Sequence, residues 1–317
     1  MGGAVQTVGP FDLFRTFYDS AHMAAAAAPM PRAAELAPHF DNLSVEIDWA
    51  SGAYWCAMRP QERPSFTPGL LADLAEMQSG IVGMFEGHTA PIRYWVLSSE
   101  LPGIFNLGGD LSVLAQHIRK RDRDSLARYA RACIDVLYTN AVSFNLPVVT
   151  IALVQGDALG GGFEAALSCD VIVAEKGARF GLPEVLFNLF PGMGAYSFLA
   201  RRLGTAQAEK MILSGSIYTA EELHELGLVQ VLAEPQEGQR AVRDFIAKGG
   251  KRHNAQSAIL RAGRRVAPLT YEELRDVSDL WVDAALSLSE SDLRKMERLT
   301  AAQNRRFAAR PQLVVAE

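Results

Sequence analysis

The stretch VVTIALVQGDALGGGFEAALSCDVIVAE, residues 148–175, constrains the fold more than any other part of the chain. It holds two continuous apolar runs, 148–156 and 171–175. A strand with one wet face alternates apolar and polar residues, so an unbroken apolar run is expected where both faces are covered. Both runs are therefore predicted as buried strands, with a helix between them. The first strand meets that helix at Gly160, Gly161 and Gly162. Glycine gives up the most backbone freedom on folding, so three in succession suggest that something approaches the main chain closely. Glu164 follows at once, a carboxylate in a segment, 161–169, otherwise apolar apart from Ser168.

The surrounding elements agree with an α/β class. LSVEIDW (43–49) and YWCAM (54–58) alternate and flank Ser51-Gly52, which predicts a hairpin. Residues 68–85 have helical spacing behind Pro68, and 92–99 are β-branched and aromatic, as strands are. Residues 124–142 place Leu126, Tyr129, Ala130, Cys133, Ile134 and Leu137 on one helical face. Thr219 and Glu222 stand at capping-box spacing before a helix that stops at Gly227. LVQVL (228–232) reads as a further strand, and from about 236 the pattern is helical to the end. Strand–helix alternation followed by a helical tail predicts an α/β core, residues 39–235, and a C-terminal helical subdomain, 236–317. Residues 1–38, with the low-complexity run Ala24–Ala28, read as a mobile arm with a short helix near Phe11–Tyr18.

Composition narrows the function. The net charge is −5, which argues against general nucleic-acid binding. No apolar run approaches the ~20 residues of a membrane span, and the N-terminus has no signal-peptide pattern. Cys56, Cys133 and Cys169 form no C-x-x-C pair, so neither a zinc site nor a disulfide framework is expected, and a reducing cytoplasm fits. No metal or other cofactor is called for. His88, His117 and His224 have no motif partner and read as structural or exposed.

Known glycine motifs do not account for residues 154–170. Gly156 and Gly161 have P-loop spacing, but Gly162-Phe163 replaces the required lysine and hydroxyl. Residues 160–165 lack the third glycine of a dinucleotide fingerprint, and neither a nucleophile elbow nor H-E-x-x-H occurs. Two readings remain for the turn. One is an active-site turn whose bare amide faces a developing negative oxygen; the other is close helix–strand packing. Glu184, in RFGLPEVLFNLFPGMGAYSFL (179–199), likewise reads as a functional carboxylate or as a helix-start surface residue. FNLGGDL (105–111) is a second glycine turn after a strand.

These three segments, in this order and spacing, resemble the crotonase (enoyl-CoA hydratase/isomerase) superfamily over roughly residues 40–300. The resemblance implies a crotonase-like ββα spiral core. It also implies oxyanion-hole amides at Gly109 and Gly161 and acid/base carboxylates at Glu164 and Glu184. PGMGAYSFL (191–199) departs from the common hydratase string. With SSELPGIFNLGGDL and LWVDAAL it is similar to the diffusible-signal-factor synthases, which make cis-2-unsaturated fatty acids. That resemblance implies dehydration of a 3-hydroxyacyl thioester on acyl carrier protein, then hydrolysis to the free acid. Leu159, Met193 and Trp281 are candidates for the acyl pocket. The alternatives are an enoyl-CoA hydratase acting on CoA thioesters in fatty-acid degradation, and a non-catalytic acyl-binding protein of the same fold. The family resemblance further implies a homo-oligomer, a trimer or dimer of trimers. The basic run RKRDRDSLARYAR (119–131) reads either as a surface that steers an acidic carrier protein or as a solvated helix face offset by Asp122 and Asp124.

Overall fold

The computed structural model describes residues 39–86 and 92–308; the short helix expected near 11–18, and His88, lie outside them. A hairpin comes first. Strand β1 (Leu43–Asp48) pairs antiparallel with β2 (Ala53–Met58). Gly52, at φ 68°, takes the left-handed conformation that closes the turn. Helix α1 (Pro68–Glu86) follows, with Pro68 in its first turn, where a missing N–H leaves no bond unmade.

From there the chain repeats one pattern, a strand in each of two sheets followed by helix. β3 (Tyr94–Ser99) and β4 (Gly103–Asn106) lead to α2 (Leu111–Arg119) and α3 (Arg123–Ala141). β5 (Val149–Val154) and β6 (Gly156–Leu159) lead to α4 (Gly161–Ser168). β7 (Val171–Glu175) and β8 (Arg179–Gly181) lead, through a 3-10 turn at Pro183–Phe187, to α5 (Ala195–Leu203) and α6 (Thr205–Ser214). β9 (Ile217–Thr219), α7 (Ala220–Glu225) and β10 (Val231–Ala233) close the core. The larger sheet runs β1-β2-β3-β5-β7-β10 and the smaller β4-β6-β8-β9. All pairings are parallel except β1–β2 and β8–β9. This is the α/β spiral of two strands and a helix that the sequence implied. The capping box at Thr219 and Glu222 forms as expected.

The apolar run 148–156, expected as one strand, is two strands in different sheets. β5 is buried at every position, but the chain leaves the larger sheet at Gln155. It then pairs Gly156 with Gly103 of β4. A Cβ on Gly156 would lie 1.9 Å from the Gly103 carbonyl carbon, so only glycine allows this crossing. Hydropathy does not register the break, because both halves are buried.

Helices α8 (Gly238–Gly250), α9 (His253–Val266), α10 (Tyr271–Leu286) and α11 (Glu290–Ala308) complete the described chain. Val242 and Ile246 of α8 pack on Val149, Ile151 and Val173 of the larger sheet. Trp281 and Val282 of α10, with Leu293 and Met296 of α11, instead join Leu114 and Leu126 of α2 and α3. Three of the six basic residues in 119–131 fasten that layer. Arg119 pairs with Glu290 and Glu297, Arg123 with Asp283 at 3.0 Å, and Arg131 with Asp279 at 3.4 Å. Asp122, in the same run, caps α3 by accepting the Ser125 N–H. His117 lies 3.5 Å from Asp122, and His224 Nδ1 is 2.8 Å from the Val229 carbonyl oxygen. Among the described residues, no helix is long and apolar enough to cross a membrane.

Candidate active site

The two glycine turns meet back to back. The first leaves β4 at Asn106 and enters α2, whose N-terminus Asp110 caps by accepting from the N–H groups of Ser112 and Val113. Gly108 lies at φ +95°, open to glycine but strained for other residues. The second turn leaves β6 through Gly160, at φ 53° and ψ −127°, and Gly161 begins α4. A Cβ on Gly108 would lie 3.0 Å from the Gly161 nitrogen, and one on Gly161 would lie 3.4 Å from the Gly108 Cα. A Cβ on Gly162 would come within 2.1 Å of the Asn106 carbonyl oxygen. What approaches the triple glycine is thus the other turn. This geometry is compatible at once with close packing and with an active-site turn. Among the described residues, no acceptor is paired with the N–H of Gly109 or of Gly161.

Glu164 sits in the first turn of α4, 1 % exposed. Its Oε1 accepts the N–H groups of Met193 and Ala195, both at 2.8 Å. Those amides come from the loop 191–194 and the start of α5, which the left-handed Gly194 turns back over α4. Glu184 lies on the 3-10 turn that Asn188 ends, at φ 63°. Its Oε1 is where only a glycine at 160 leaves room, since a Cβ there would come within 2.5 Å. The residue is half-buried, but its Oε2 is enclosed and has no hydrogen-bond partner among the described residues.

Burial pushes both carboxyls up. Glu164 rises from 4.5 to about 7, held back by the amides of Ala195, Met193 and Gly194. Glu184 rises from 4.5 to about 8, first through burial and then through the negative charge of Glu164. Backbone donors favour an ionised carboxylate, and burial with fewer donors favours the proton. Glu164, with three backbone donors against one for Glu184, is the more readily ionised of the pair.

A cavity opens onto these groups. Gly109, Gly161, Glu164, Glu184, Met193 and Trp281 all line it. The sequence marks residues in four separate segments, and the fold gathers them around one space. Met193 Sδ would be 2.3 Å from a Cβ on Gly161, and Trp281 Cγ 2.5 Å from one on Gly192. Leu159 is not among the lining residues; its carbonyl oxygen abuts Gly108 instead. Sequence reasoning missed Leu111, Leu114, Tyr129, Phe187 and Leu189, which also line the cavity. Tyr129 carried a signal, because a tyrosine on the buried face of a helix needs a partner for its hydroxyl.

Residues 59–265 match the family described as enoyl-CoA hydratase/isomerase. The chain belongs to that family. Among its relatives, the mitochondrial methylglutaconyl-CoA hydratase of Rattus norvegicus is 38% identical over 187 residues, covering 56% of this chain and 57% of the relative. The 2,3-dehydroadipyl-CoA hydratase of Escherichia coli is 41% identical over 125 residues, 39% of this chain and 46% of the relative. This chain thus spans about half the length of these curated relatives. The enoyl-CoA hydratase of Bacillus halodurans shares the fold, with a TM-score of 0.67 over 82% of this chain and all of that one, at 23% identity. As a member of the enoyl-CoA hydratase/isomerase family, the chain is a crotonase-fold protein of an enzyme family.

Proposed function

We propose that this protein adds water across, or eliminates it from, the Cα–Cβ bond of an acyl thioester. One observation carries the reading: Glu164, held by backbone donors, and Glu184, whose enclosed Oε2 has no hydrogen-bond partner, line the same cavity as two unpaired amides. In the hydration direction the thioester oxygen sits between the N–H groups of Gly109 and Gly161. Glu164 takes a proton from water as its oxygen bonds to Cβ. The Cα=Cβ electrons move onto the carbonyl, and the two amides stabilise the enolate oxygen. One such donor is typically worth ~3 kcal/mol of barrier. The enolate then takes the Glu184 proton at Cα. Dehydration retraces these steps: Glu184 removes the α-proton and Glu164 protonates the leaving hydroxyl. No separate nucleophile, metal or cofactor enters the scheme. The names of the curated relatives favour a CoA thioester as substrate.

A second reading follows from residues 191–199. They place Met193 beside Gly161 and set Gly192 against Trp281, so apolar side chains border the second glycine turn. That lining supports a medium or long acyl chain and the synthesis of a cis-2-unsaturated fatty acid. The route would be dehydration of a 3-hydroxyacyl thioester on acyl carrier protein, then hydrolysis by a carboxylate-activated water at the same oxyanion hole. The ion pairs of Arg119, Arg123 and Arg131 with the chain's own helices leave less positive charge for steering a carrier. Incubation with 3-hydroxydodecanoyl groups on CoA and on carrier protein separates the readings. A trans-2-enoyl thioester supports the hydratase, and free cis acid supports the synthase. Turnover of neither substrate would defeat both.

A further inference from the structure

The N–H of Gly109 is left unpaired by a specific arrangement around it. The Gly108 N–H, on one side, donates to Asn106 Oδ1 at 2.8 Å. The Asp110 N–H, on the other side, donates to the Tyr129 hydroxyl at 2.8 Å. That hydroxyl donates in turn to the Phe66 carbonyl oxygen at 2.6 Å. The Phe66 N–H holds the Gly108 carbonyl at 2.8 Å. Phe66 and Gly109 form a parallel bridge. In a regular parallel ladder the N–H after the bridged residue donates straight to the partner's carbonyl. Here the Tyr129 hydroxyl stands between the Asp110 N–H and the Phe66 carbonyl. Asn106 is buried, so its amide cannot be replaced cheaply by water. Tyr129 also lines the cavity, and its Oη would lie 3.4 Å from a Cβ on Gly109.

The geometry points to Tyr129 as a positioning residue for the first oxyanion amide. Its hydroxyl holds the Gly109–Asp110 peptide and the carbonyl of Phe66, whose N–H holds the Gly108–Gly109 peptide through the Gly108 carbonyl, so that the free N–H of Gly109 is aimed into the cavity. The inference rests on the oxyanion role proposed above for Gly109. A preorganised donor loses most of its effect when its direction drifts, and small misplacements at a reacting centre can lower rates about 100-fold. Tyr129→Phe keeps the ring in the cavity wall and removes only the hydroxyl. Two backbone groups then lose their partner, and the turn is free to pair the Asp110 N–H directly with the Phe66 carbonyl.

The test uses a dimethylaminocinnamoyl thioester of CoA, whose absorption moves to longer wavelength as its carbonyl is polarised. Wild type bound to this probe should show the red shift; its absence would remove the oxyanion reading, and the positioning role with it. Given that shift, Tyr129→Phe should bind the probe within about threefold of wild type, show a smaller shift, and lose about 10- to 100-fold in kcat with KM little changed. Ile246→Val in the α8 layer is the stability control and should keep both the shift and kcat. Tyr129→Phe with a wild-type shift and kcat would overturn the proposal while leaving the oxyanion role intact. Should that variant not fold, 3-fluorotyrosine at position 129 alters the acidity of the hydroxyl without deleting it. A changed red shift would then support the proposal, and an unchanged one would overturn it.

Discussion

Replacing Glu184 with glutamine should make the protein more stable and nearly inactive, with a gain in stability that grows with pH. The wild-type carboxyl rises from 4.5 to about 8 because burial and the charge of Glu164 oppose its ionisation. In the unfolded chain the same group ionises near its ordinary value. Between those two values the folded state holds a proton that the unfolded state has released, so wild-type stability falls as pH rises. At about 1.4 kcal/mol for each pH unit in that window, the penalty reaches about 3 kcal/mol at pH 7. Glu184 is half-buried as a residue, and water reaching the exposed part of its side chain will screen the charge. An observed gain of about 1–2 kcal/mol at pH 7 is the expectation after that discount. Glutamine carries no charge, and Oε2 of Glu184 has no hydrogen bond to lose. Urea denaturation of both proteins from pH 5 to pH 8 measures the effect. The curves should converge near pH 5 and separate above it, while turnover falls ~10²–10⁴-fold. Stability curves that run parallel across this range would mean that Glu184 ionises as an ordinary carboxylate, and the acid/base pair would lose its acid.

The same pair predicts a bell-shaped dependence of kcat/KM on pH, with limbs near the values of about 7 for Glu164 and about 8 for Glu184, read as properties of the coupled pair. A flat profile from pH 6 to 9 would contradict it. Gly162→Ala puts a Cβ 2.1 Å from the Asn106 carbonyl oxygen and should lose about 3 kcal/mol in denaturant titrations. Gly161→Ala clashes with the flexible end of Met193 and meets the Gly108 Cα only at 3.4 Å, so it should fold with a smaller loss; equal losses would refute the back-to-back packing of the turns. Trp281→Ala removes a buried side chain from the cavity wall. It should lower stability by about 3–5 kcal/mol and raise relative turnover of bulkier acyl thioesters, as competing-substrate assays would show.

The site was legible wherever a residue's chemistry conflicted with its local surroundings. Glu164 in an apolar segment, three successive glycines and Glu184 beyond a proline each stood out along the chain. The structure explains them through close approach and burial. Buried strands were legible for a related reason, since β5 and β7 have no wet face to interrupt their apolar runs. The break at Gln155 was not legible, because hydropathy is blind to which of two sheets buries a residue. Leu159 was misplaced for a similar reason: closeness in sequence to the glycines does not say which way a side chain points, and the cavity lies elsewhere. Tyr129 and Asn106 were missed because their partners are backbone groups that no side-chain motif records. The run 119–131 reads either as a steering surface or as a solvated face, because the acidic partners of Arg119, Arg123 and Arg131 lie more than a hundred residues away, on α10 and α11.

Isotope tracing of a single acyl thioester tests the central claim most directly. The purified protein is incubated with a 2-enoyl or 3-hydroxyacyl thioester in water enriched in oxygen-18 and deuterium, and product is followed by mass spectrometry and proton NMR. The account predicts oxygen-18 at C3 and deuterium at C2 with wild type, and loss of both labels with Glu164→Gln and with Glu184→Gln. Wild type that leaves C2 and C3 unlabelled, or either variant that labels them at the wild-type rate, would contradict it.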